Sequence, residues 1–178
     1  MTILCCTGKL LKAMKTKPVA DPAPVTNRLG EWTANLIRVG RIQLVLAVSE
    51  PTRFGVVIDA APYATIPFRI SHNLFKALLF VGVPADLAAA EAHSMETPQI
   101  AASNSRSVLG TLNQFGYMVE CDVHYQHAHS AVELTQRLTE MVVIEPKHIG
   151  FPIDRVREAF GLARSAPDIR RPQGIMLH

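Results

Sequence analysis

The sequence predicts one domain of the α+β class, in which an antiparallel meander and further strands pack against about five helices. Apolar residues alternate with period two in three neighbouring segments between residues 32 and 59, which is the pattern of half-buried strands. After residue 67, most apolar residues recur every three or four positions, as they do along amphipathic helices. Strands that come early in the chain and helices that come later are typical of α+β folds rather than of doubly wound ones.

Length and composition agree with this interpretation. The chain has 178 residues, of which 48% are hydrophobic, and this is enough for a core that needs no disulfide or structural metal. We assign residues 1–162 to the domain. Residues 163–178 are expected to form a loosely ordered C-terminal tail, because prolines and arginines replace the apolar pattern there.

The N-terminal part begins with a short strand, which the apolar residues of segment 1–7 predict. A helix over residues 8–15 follows, with apolar residues on one side and lysines on the other, and Thr7 is the expected cap at its start. Residues 16–30 contain three prolines and no apolar period, which predicts an irregular connection.

The meander is predicted from three strands and two tight turns. Trp32 opens the first strand on its apolar face, so we expect this tryptophan to be buried. Gly40 suits the turn into the second strand, residues 42–48, and Pro51 suits the turn into the third, residues 54–59. Connections this short require antiparallel neighbours.

The second half of the chain is predicted to be mainly helical. We expect helices at residues 70–81, 84–95, 131–141 and 152–160, and a short strand or loop at residues 99–102. Residues 103–125 predict a helix that Gly116 ends, and then a half-buried strand from 117 to 125, because the apolar period falls to two after the glycine.

One face of this last predicted strand carries Glu120, Asp122 and His124. Carboxylates and imidazoles are metal ligands, and alternate residues of a strand line up on one face. A hydrolase or nuclease that uses a divalent metal is therefore one functional hypothesis. A solvent-facing strand has the same composition, and the spacing matches no metal-binding motif, so we assign neither a metal nor another cofactor.

Small polar residues precede the helix that is predicted to begin near residue 106. Asn104 and Ser107 flank Arg106, and the first turn of a helix leaves backbone N–H groups unpaired. This combination suits a phosphate or carboxylate ligand. A capped helix with a solvent-exposed arginine explains the same residues, and the sequence leaves both interpretations open.

Charge and cysteine content narrow the setting in which the protein acts. The net charge of +3 permits a phosphate-bearing partner without requiring one. The three cysteines form no Cys-x-x-Cys motif, and their odd number argues against a disulfide scaffold.

No segment of the sequence reaches the roughly 18 apolar residues of a membrane span. The apolar residues at the start of the chain come before its lysines, which is the reverse of the order in a secretory signal. We therefore expect a cytoplasmic protein without membrane association.

Three stretches of the chain carry recognisable patterns. They are Cys-Thr-x-Lys-Leu-Leu over residues 6–11, Trp-x-Ala-Asn over residues 32–35 and Arg-Ser-x-Leu-Gly-x-x-Asn over residues 106–113. Together they resemble an uncharacterised family of small bacterial proteins that is defined only as a domain of unknown function. The resemblance implies a shared fold and brings no known activity, cofactor or partner. It draws attention to the polar positions of the patterns, Lys9, Asn35, Arg106, Ser107 and Asn113, which either form one site or serve as turn and cap residues.

The leading functional hypothesis is a non-catalytic binding or regulatory module for an anionic ligand, a nucleic acid or a protein partner. The alternatives are the metal-dependent hydrolase or nuclease and a structural homo-oligomer formed through apolar helices. No catalytic residue is assigned. The candidate ligand-binding residues are Lys9, Asn35, Asn104, Arg106, Ser107 and Asn113.

Overall fold

The computed structural model describes residues 1–165 of the chain. Its strands are β1 (Ile3–Cys6), β2 (Trp32–Val39), β3 (Ile42–Ser49), β4 (Gly55–Asp59) and β5 (Gln99–Ala102). Its helices are α1 (Gly8–Met14), α2 (Ile66–Phe80), α3 (Ala85–Ser94), α4 (Arg106–His124), α5 (Ala131–Thr139) and α6 (Pro152–Ala159), and one turn of 3₁₀ helix (Tyr63–Thr65) precedes α2. These elements confirm the predicted α+β class.

The strands of the described residues form one mixed sheet in the order β4-β3-β2-β1-β5. β2, β3 and β4 are the predicted antiparallel meander, and Gly40 makes the first turn with a φ of 59°, which glycine adopts without steric cost. β1 pairs in parallel with both β2 and β5. Neighbouring parallel strands need long crossover connections, and the chain between β1 and β5 supplies α1, α2 and α3, which pack on one face of the sheet. α4 and α5 follow β5 and pack on the other face.

Each face of the sheet supports its own hydrophobic core. The larger core surrounds Trp32, which is fully buried as predicted, and it packs against α1, α2, α3 and α6. The second core contains Leu46 of β3 and Phe115 of α4, and it lies beneath α4 and α5. Successive residues of β3 alternate between the two cores, so both faces of the sheet are buried.

The helices that follow β1 and β5 lie on opposite faces of the sheet, although these two strands are parallel neighbours. α1 follows β1 and buries Leu10 in the larger core, whereas α4 follows β5 and buries Val108 in the second core. The two connections therefore diverge at the carboxyl edge of the sheet. Such a divergence leaves a crevice, which is the usual ligand position in open sheets that contain parallel strands.

The predicted strand at residues 117–125 is wrong, because α4 continues through Gly116 to His124. The buried side chains of α4 recur every three or four residues, and Val119 is one of them. Tyr117 and Tyr125 produced the apparent alternation in the sequence, yet they are 67% and 65% exposed. The late strand of the fold is therefore β5, at the position that the sequence left open between strand and loop.

The connection over residues 16–30 is irregular, as predicted, and Glu91 of α3 holds its end. The buried carboxylate of Glu91 accepts hydrogen bonds from the backbone N–H groups of Arg28 and Leu29, both at 2.9 Å, and from Asn27 Nδ2 at 2.8 Å. These bonds attach the connection to α3 immediately before β2 begins.

The C-terminal segment after α6 has no regular structure over residues 163–165. The rest of the predicted tail, residues 166–178, lies outside the described residues, and the domain boundary at residue 162 stays a prediction. In the described range, none of the helices combines the length and the apolar character that crossing a membrane requires.

Candidate functional site

A cavity of about 350 Å³ lies where β2 continues beyond the carboxyl end of β1. Cys6, the last residue of β1, pairs with Ala34, and β2 extends for five residues after that pair. α1 and α4 contribute the remaining walls. The polar lining consists of Lys9, Asn35, Arg38, Asn113, Tyr117 and Glu120. Three of the predicted binding residues, Lys9, Asn35 and Asn113, therefore meet at one place.

The amide of Asn35 is oriented by Thr7. Thr7 stands at the N-cap position of α1, but its side chain does not cap the helix as the sequence predicted. Its Oγ1 instead donates a hydrogen bond of 2.8 Å to Asn35 Oδ1. This bond engages the amide oxygen and leaves the Nδ2 group of Asn35 as the donor for a ligand. The exposed Lys9 follows two residues after Thr7.

One face of α4 forms the opposite wall. Residues three or four positions apart are neighbours on the surface of a helix. The cavity is lined by four residues of α4 with this spacing, namely Asn113, Gly116, Tyr117 and Glu120. A Cβ added to Gly116 would meet a single neighbour within 4 Å, Ile37 Cγ2 at 4.0 Å. The cavity therefore reaches the backbone of the helix at Gly116, where any other residue would place a side chain.

Tyr117 borders the cavity with an exposed ring. A hydrogen bond with the thiol of Cys121, one turn further along α4, is the largest cause that raises the pKa of Tyr117. The phenol is therefore neutral near pH 7, and its ring offers an uncharged aromatic surface at the cavity.

The charges at the cavity are not neutralised by partners. Lys9 and Glu120 take part in no ion pair within residues 1–165. In the same range, the Arg38 guanidinium makes one hydrogen bond, which its Nε donates to the carbonyl oxygen of Gly40 at 3.1 Å. Two cations and one carboxylate are thus available to a ligand. Among the described residues that line the cavity there is no serine, cysteine or histidine.

The other three predicted binding residues, Asn104, Arg106 and Ser107, do not line this cavity. They belong to the connection from β5 into α4 and to the first turn of that helix. Ser105 caps α4, because its Oγ accepts a hydrogen bond of 3.4 Å from the backbone N–H of Val108.

Arg53 engages Ser107 and was not singled out by the sequence. The Arg53 side chain is buried, and its Nη2 donates a hydrogen bond of 2.8 Å to Ser107 Oγ while Nη1 donates to the carbonyl oxygen of Glu50. Burial lowers the pKa of Arg53. Ser107 therefore joins the first turn of α4 to the turn between β3 and β4, and nothing in the local sequence around Arg53 reveals this contact.

The three residues of the metal hypothesis do not share a face, because they lie on a helix. Residues two apart on an α-helix point about 200° away from each other. Glu120 lines the cavity, whereas Asp122 is buried, accepts a hydrogen bond from Arg137 Nε at 2.8 Å and lies 3.4 Å from His127 Nδ1. His124 is exposed. Within residues 1–165, no three His, Cys, Asp or Glu side chains are grouped so that they could hold a metal ion.

The cysteines of the described residues are free thiols. Burial, with a smaller contribution from Glu31 and Glu50, raises the pKa of Cys5 from 9.0 to about 11. Burial likewise raises the pKa of Cys6 to about 12. Both thiols stay protonated at neutral pH, and neither lines the cavity.

A larger cavity of about 420 Å³ lies between β3 and the start of α5. Ile42, Leu44 and Leu134 contribute apolar walls, and Asp59 is the charged group of its lining. It contains no lysine or arginine among the described residues. An anionic ligand is therefore better matched by the cavity at Lys9 and Arg38.

Comparison with protein-family models finds a match over residues 3–155 to the family described as domain of unknown function DUF6933. The chain belongs to the DUF6933 family. The match confirms the resemblance to an uncharacterised family, and it contains every residue of the cavity lining from Lys9 to Glu120. No protein with a curated description matches the chain. The DUF6933 description names no activity, so the function must be argued from the geometry of the cavity.

Proposed function

We propose that the protein is a non-catalytic binding module for a small anionic ligand, held in the cavity between α1, β2 and α4. The convergence of Lys9, Asn35 and Asn113 carries this proposal. The three residues come from separate elements of the fold, and they line one cavity together. If Lys9, Asn35 and Asn113 served only as turn or cap residues, their functions would not require them to line the same cavity.

Electrostatics favours an anion. Lys9 and Arg38 bring two positive charges to the lining against the single carboxylate of Glu120, and neither cation is paired with a carboxylate within residues 1–165. Hydrogen bonds from a charged donor to a phosphate or carboxylate are about twice as strong as neutral ones. The Asn35 Nδ2 group adds an uncharged donor beside Lys9.

Size and position favour a small molecule. The volume of about 350 Å³ is close to the lower end of the range of about 300–1,000 Å³ that is usual for small-molecule sites. The cavity also adjoins the carboxyl edge of β1, where the helices after β1 and β5 diverge. A compact ligand in this crevice would contact the sheet and both helices at once.

The experiment is calorimetric titration of the protein with ribose 5-phosphate and with AMP, at low and at high salt. We expect Lys9→Ala to weaken binding about 10-fold or more, because a hydrogen bond to a charged group contributes about 1.5–3 kcal/mol. Lys12→Ala is the matched control, since Lys12 lies on the same helix and outside the lining. Absence of binding by both probes, or an equal loss in the two variants, would overturn the proposal.

We also propose the bacterial cytoplasm as the place of action. The cysteines at positions 5, 6 and 121 are unpaired, and a reducing compartment keeps such thiols free. Ligands of the proposed kind, small phosphorylated metabolites, are plentiful in that compartment. Fractionation of cells that produce the protein at its natural level tests this proposal directly, and recovery outside the cytoplasmic fraction would contradict it.

A further inference from the structure

The carboxylate of Glu120 restricts which anions the cavity can take. Glu120 lines the same cavity as Lys9 and Arg38, and it has no ion-pair partner within residues 1–165. A bare phosphate would be repelled by this carboxylate. The ligand must therefore combine an anionic group for the cations with hydroxyl or amino donors for Glu120.

The wall around Gly116 is suited to a flat group. Gly116 presents helix backbone, Ile37 presents an apolar side chain opposite it, and the exposed ring of Tyr117 stands beside them. An aromatic side chain at the border of a polar cavity offers a π-face on which a planar ring can stack. The missing side chain at Gly116 provides the space that such a ring needs.

The two amides complete the pattern. Asn113 lines the cavity with an amide that can match a donor and an acceptor on the edge of a nucleobase, and Asn35 adds its Nδ2 group as a second donor. The volume of about 350 Å³ suits a single nucleotide unit. The cavity thus favours a ligand with an anionic group, hydroxyl donors and a planar ring that has hydrogen-bonding groups on its edge. One class of small molecule has all of these features.

Building on the proposed function, we infer that the ligand is a nucleoside monophosphate. Lys9 and Arg38 attract its phosphate, Glu120 accepts from its hydroxyl or amino groups, and its base lies against Gly116 and Tyr117. The amides of Asn35 and Asn113 then face the edge of the base or the sugar.

The test uses probes that differ only in the base. AMP, GMP, CMP and UMP are compared with ribose 5-phosphate, which carries the same phosphate on the same sugar. We expect at least one nucleotide to bind roughly tenfold more tightly than ribose 5-phosphate, because stacking on an aromatic side chain contributes about that much. Equal binding of all five probes would overturn the inference and leave the anion-binding proposal intact. Binding by none would overturn both.

Two glycines of α4 provide a matched pair of variants. Gly116→Ala places a methyl group in the cavity, whereas Gly110→Ala adds one outside its lining, where nothing lies within 4 Å. Both substitutions favour the helix, so both variants should melt at or above the temperature of the parent protein. Gly116→Ala should bind nucleotides more weakly than the parent protein does, whereas Gly110→Ala should bind them equally well. Both variants should bind ribose 5-phosphate about as tightly as the parent protein. Equal nucleotide affinity in the two variants would overturn the placement of the base.

Tyr117 supplies an independent readout. Tyr117→Phe keeps the ring and should retain nucleotide affinity, whereas Tyr117→Ala should lose most of the difference between AMP and ribose 5-phosphate. Tyr117 is exposed, so neither substitution disturbs a hydrophobic core. Unchanged discrimination by Tyr117→Ala would contradict stacking.

Discussion

The hydroxyl of Thr7 donates a hydrogen bond of 2.8 Å to the amide oxygen of Asn35, and this bond joins the start of α1 to the middle of β2. It forms at the place where β1 has ended and β2 continues beyond it. The bond fixes which end of the Asn35 amide faces the cavity. A residue that the sequence marked only as a helix cap therefore prepares the proposed binding site.

The Thr7–Asn35 bond predicts a specific effect of Thr7→Val. The variant keeps the shape of the side chain and removes the donor, so the Asn35 amide should lose its fixed orientation. We expect a loss of about 1 kcal/mol in the free energy of unfolding and displaced NMR resonances of the Asn35 side-chain NH₂ group. Thr7→Ser, which keeps the hydroxyl, is the control. Identical Asn35 resonances in Thr7→Val and the parent protein would contradict this role.

The Glu91 carboxylate is expected to contribute strongly to stability. It is buried and accepts three hydrogen bonds from the segment that precedes β2. Glu91→Gln removes the charge and replaces one acceptor with a donor that faces other donors. The free energy of unfolding should fall by about 3 kcal/mol, measured by denaturant titration.

Glu96→Gln is the control for that measurement. Glu96 follows α3, and its carboxylate lies 3.2 Å from His93 Nδ1 in an exposed contact, because 81% of the His93 side chain and 39% of the Glu96 side chain are accessible. Such pairs contribute little, so we expect a change below about 0.5 kcal/mol. Similar losses in Glu91→Gln and Glu96→Gln would show that the buried network does not have the importance assigned to it.

The cysteines are expected to differ in reactivity. The pKa values of Cys5 and Cys6 are raised to about 11 and about 12 by burial, and the reactive species of cysteine is the thiolate. Cys121 is only partly buried. Iodoacetamide at pH 8 should therefore modify Cys121 first in the native protein, and peptide mass spectrometry can identify the site. Modification of Cys5 or Cys6 at the same rate would disprove the prediction.

The same pKa shifts make folding sensitive to alkaline pH. The folded state holds the protons of Cys5 and Cys6 more tightly than the unfolded chain, in which the thiols titrate near 9.0. Their contribution to stability is complete below the unfolded pKa and is lost as the pH rises toward 11 and 12. Thermal unfolding of Cys5→Ala and Cys6→Ala should show a weaker dependence on pH above 9 than the parent protein. An unchanged slope would contradict this linkage.

Asp122 is expected to hold α4 against α5. Its buried carboxylate accepts a hydrogen bond from Arg137 Nε, and this bond is the largest cause that raises the pKa of Arg137. Because Arg137 is partly exposed, solvent weakens the pair, and Asp122→Asn should cost about 1–2 kcal/mol of unfolding free energy. Glu140→Gln, at an exposed position near Arg137, should change stability by less than about 0.5 kcal/mol. Equal effects of the two substitutions would argue against a structural role for Asp122.

The meander could be predicted because its determinants are local. The turn at Gly40 and the turn at Pro51 follow from the conformational preferences of single residues, and the burial of Trp32 follows from its place on an alternating strand. The strand at residues 117–125 could not be separated from a helix in the same way. Val119 fits both periods, and only packing shows that Tyr117 and Tyr125 are exposed.

The lining of the cavity was predicted in part, and a role of its residues in ligand binding stays a prediction. Shared sequence patterns drew attention to Lys9, Asn35 and Asn113, but they also included Arg106 and Ser107, which lie outside the cavity. Residues with ordinary local surroundings were missed, namely Arg38, Gly116, Tyr117, Arg53 and Glu91. Arg53 and Glu91 make hydrogen bonds to segments that are distant in sequence, and Arg38, Gly116 and Tyr117 share the cavity with such segments. No local pattern reveals that proximity.

The sequence by itself determined the α+β class, the antiparallel meander, the irregular connection 16–30 and the position of most helices, because periodicity and turn residues act over short distances. Tertiary structure alone decided that β1 pairs in parallel with β2 and β5 and that α1 and α4 leave the sheet on opposite faces. Those choices depend on the burial of side chains from distant segments. They are also what brings Lys9, Asn35 and Asn113 to one cavity.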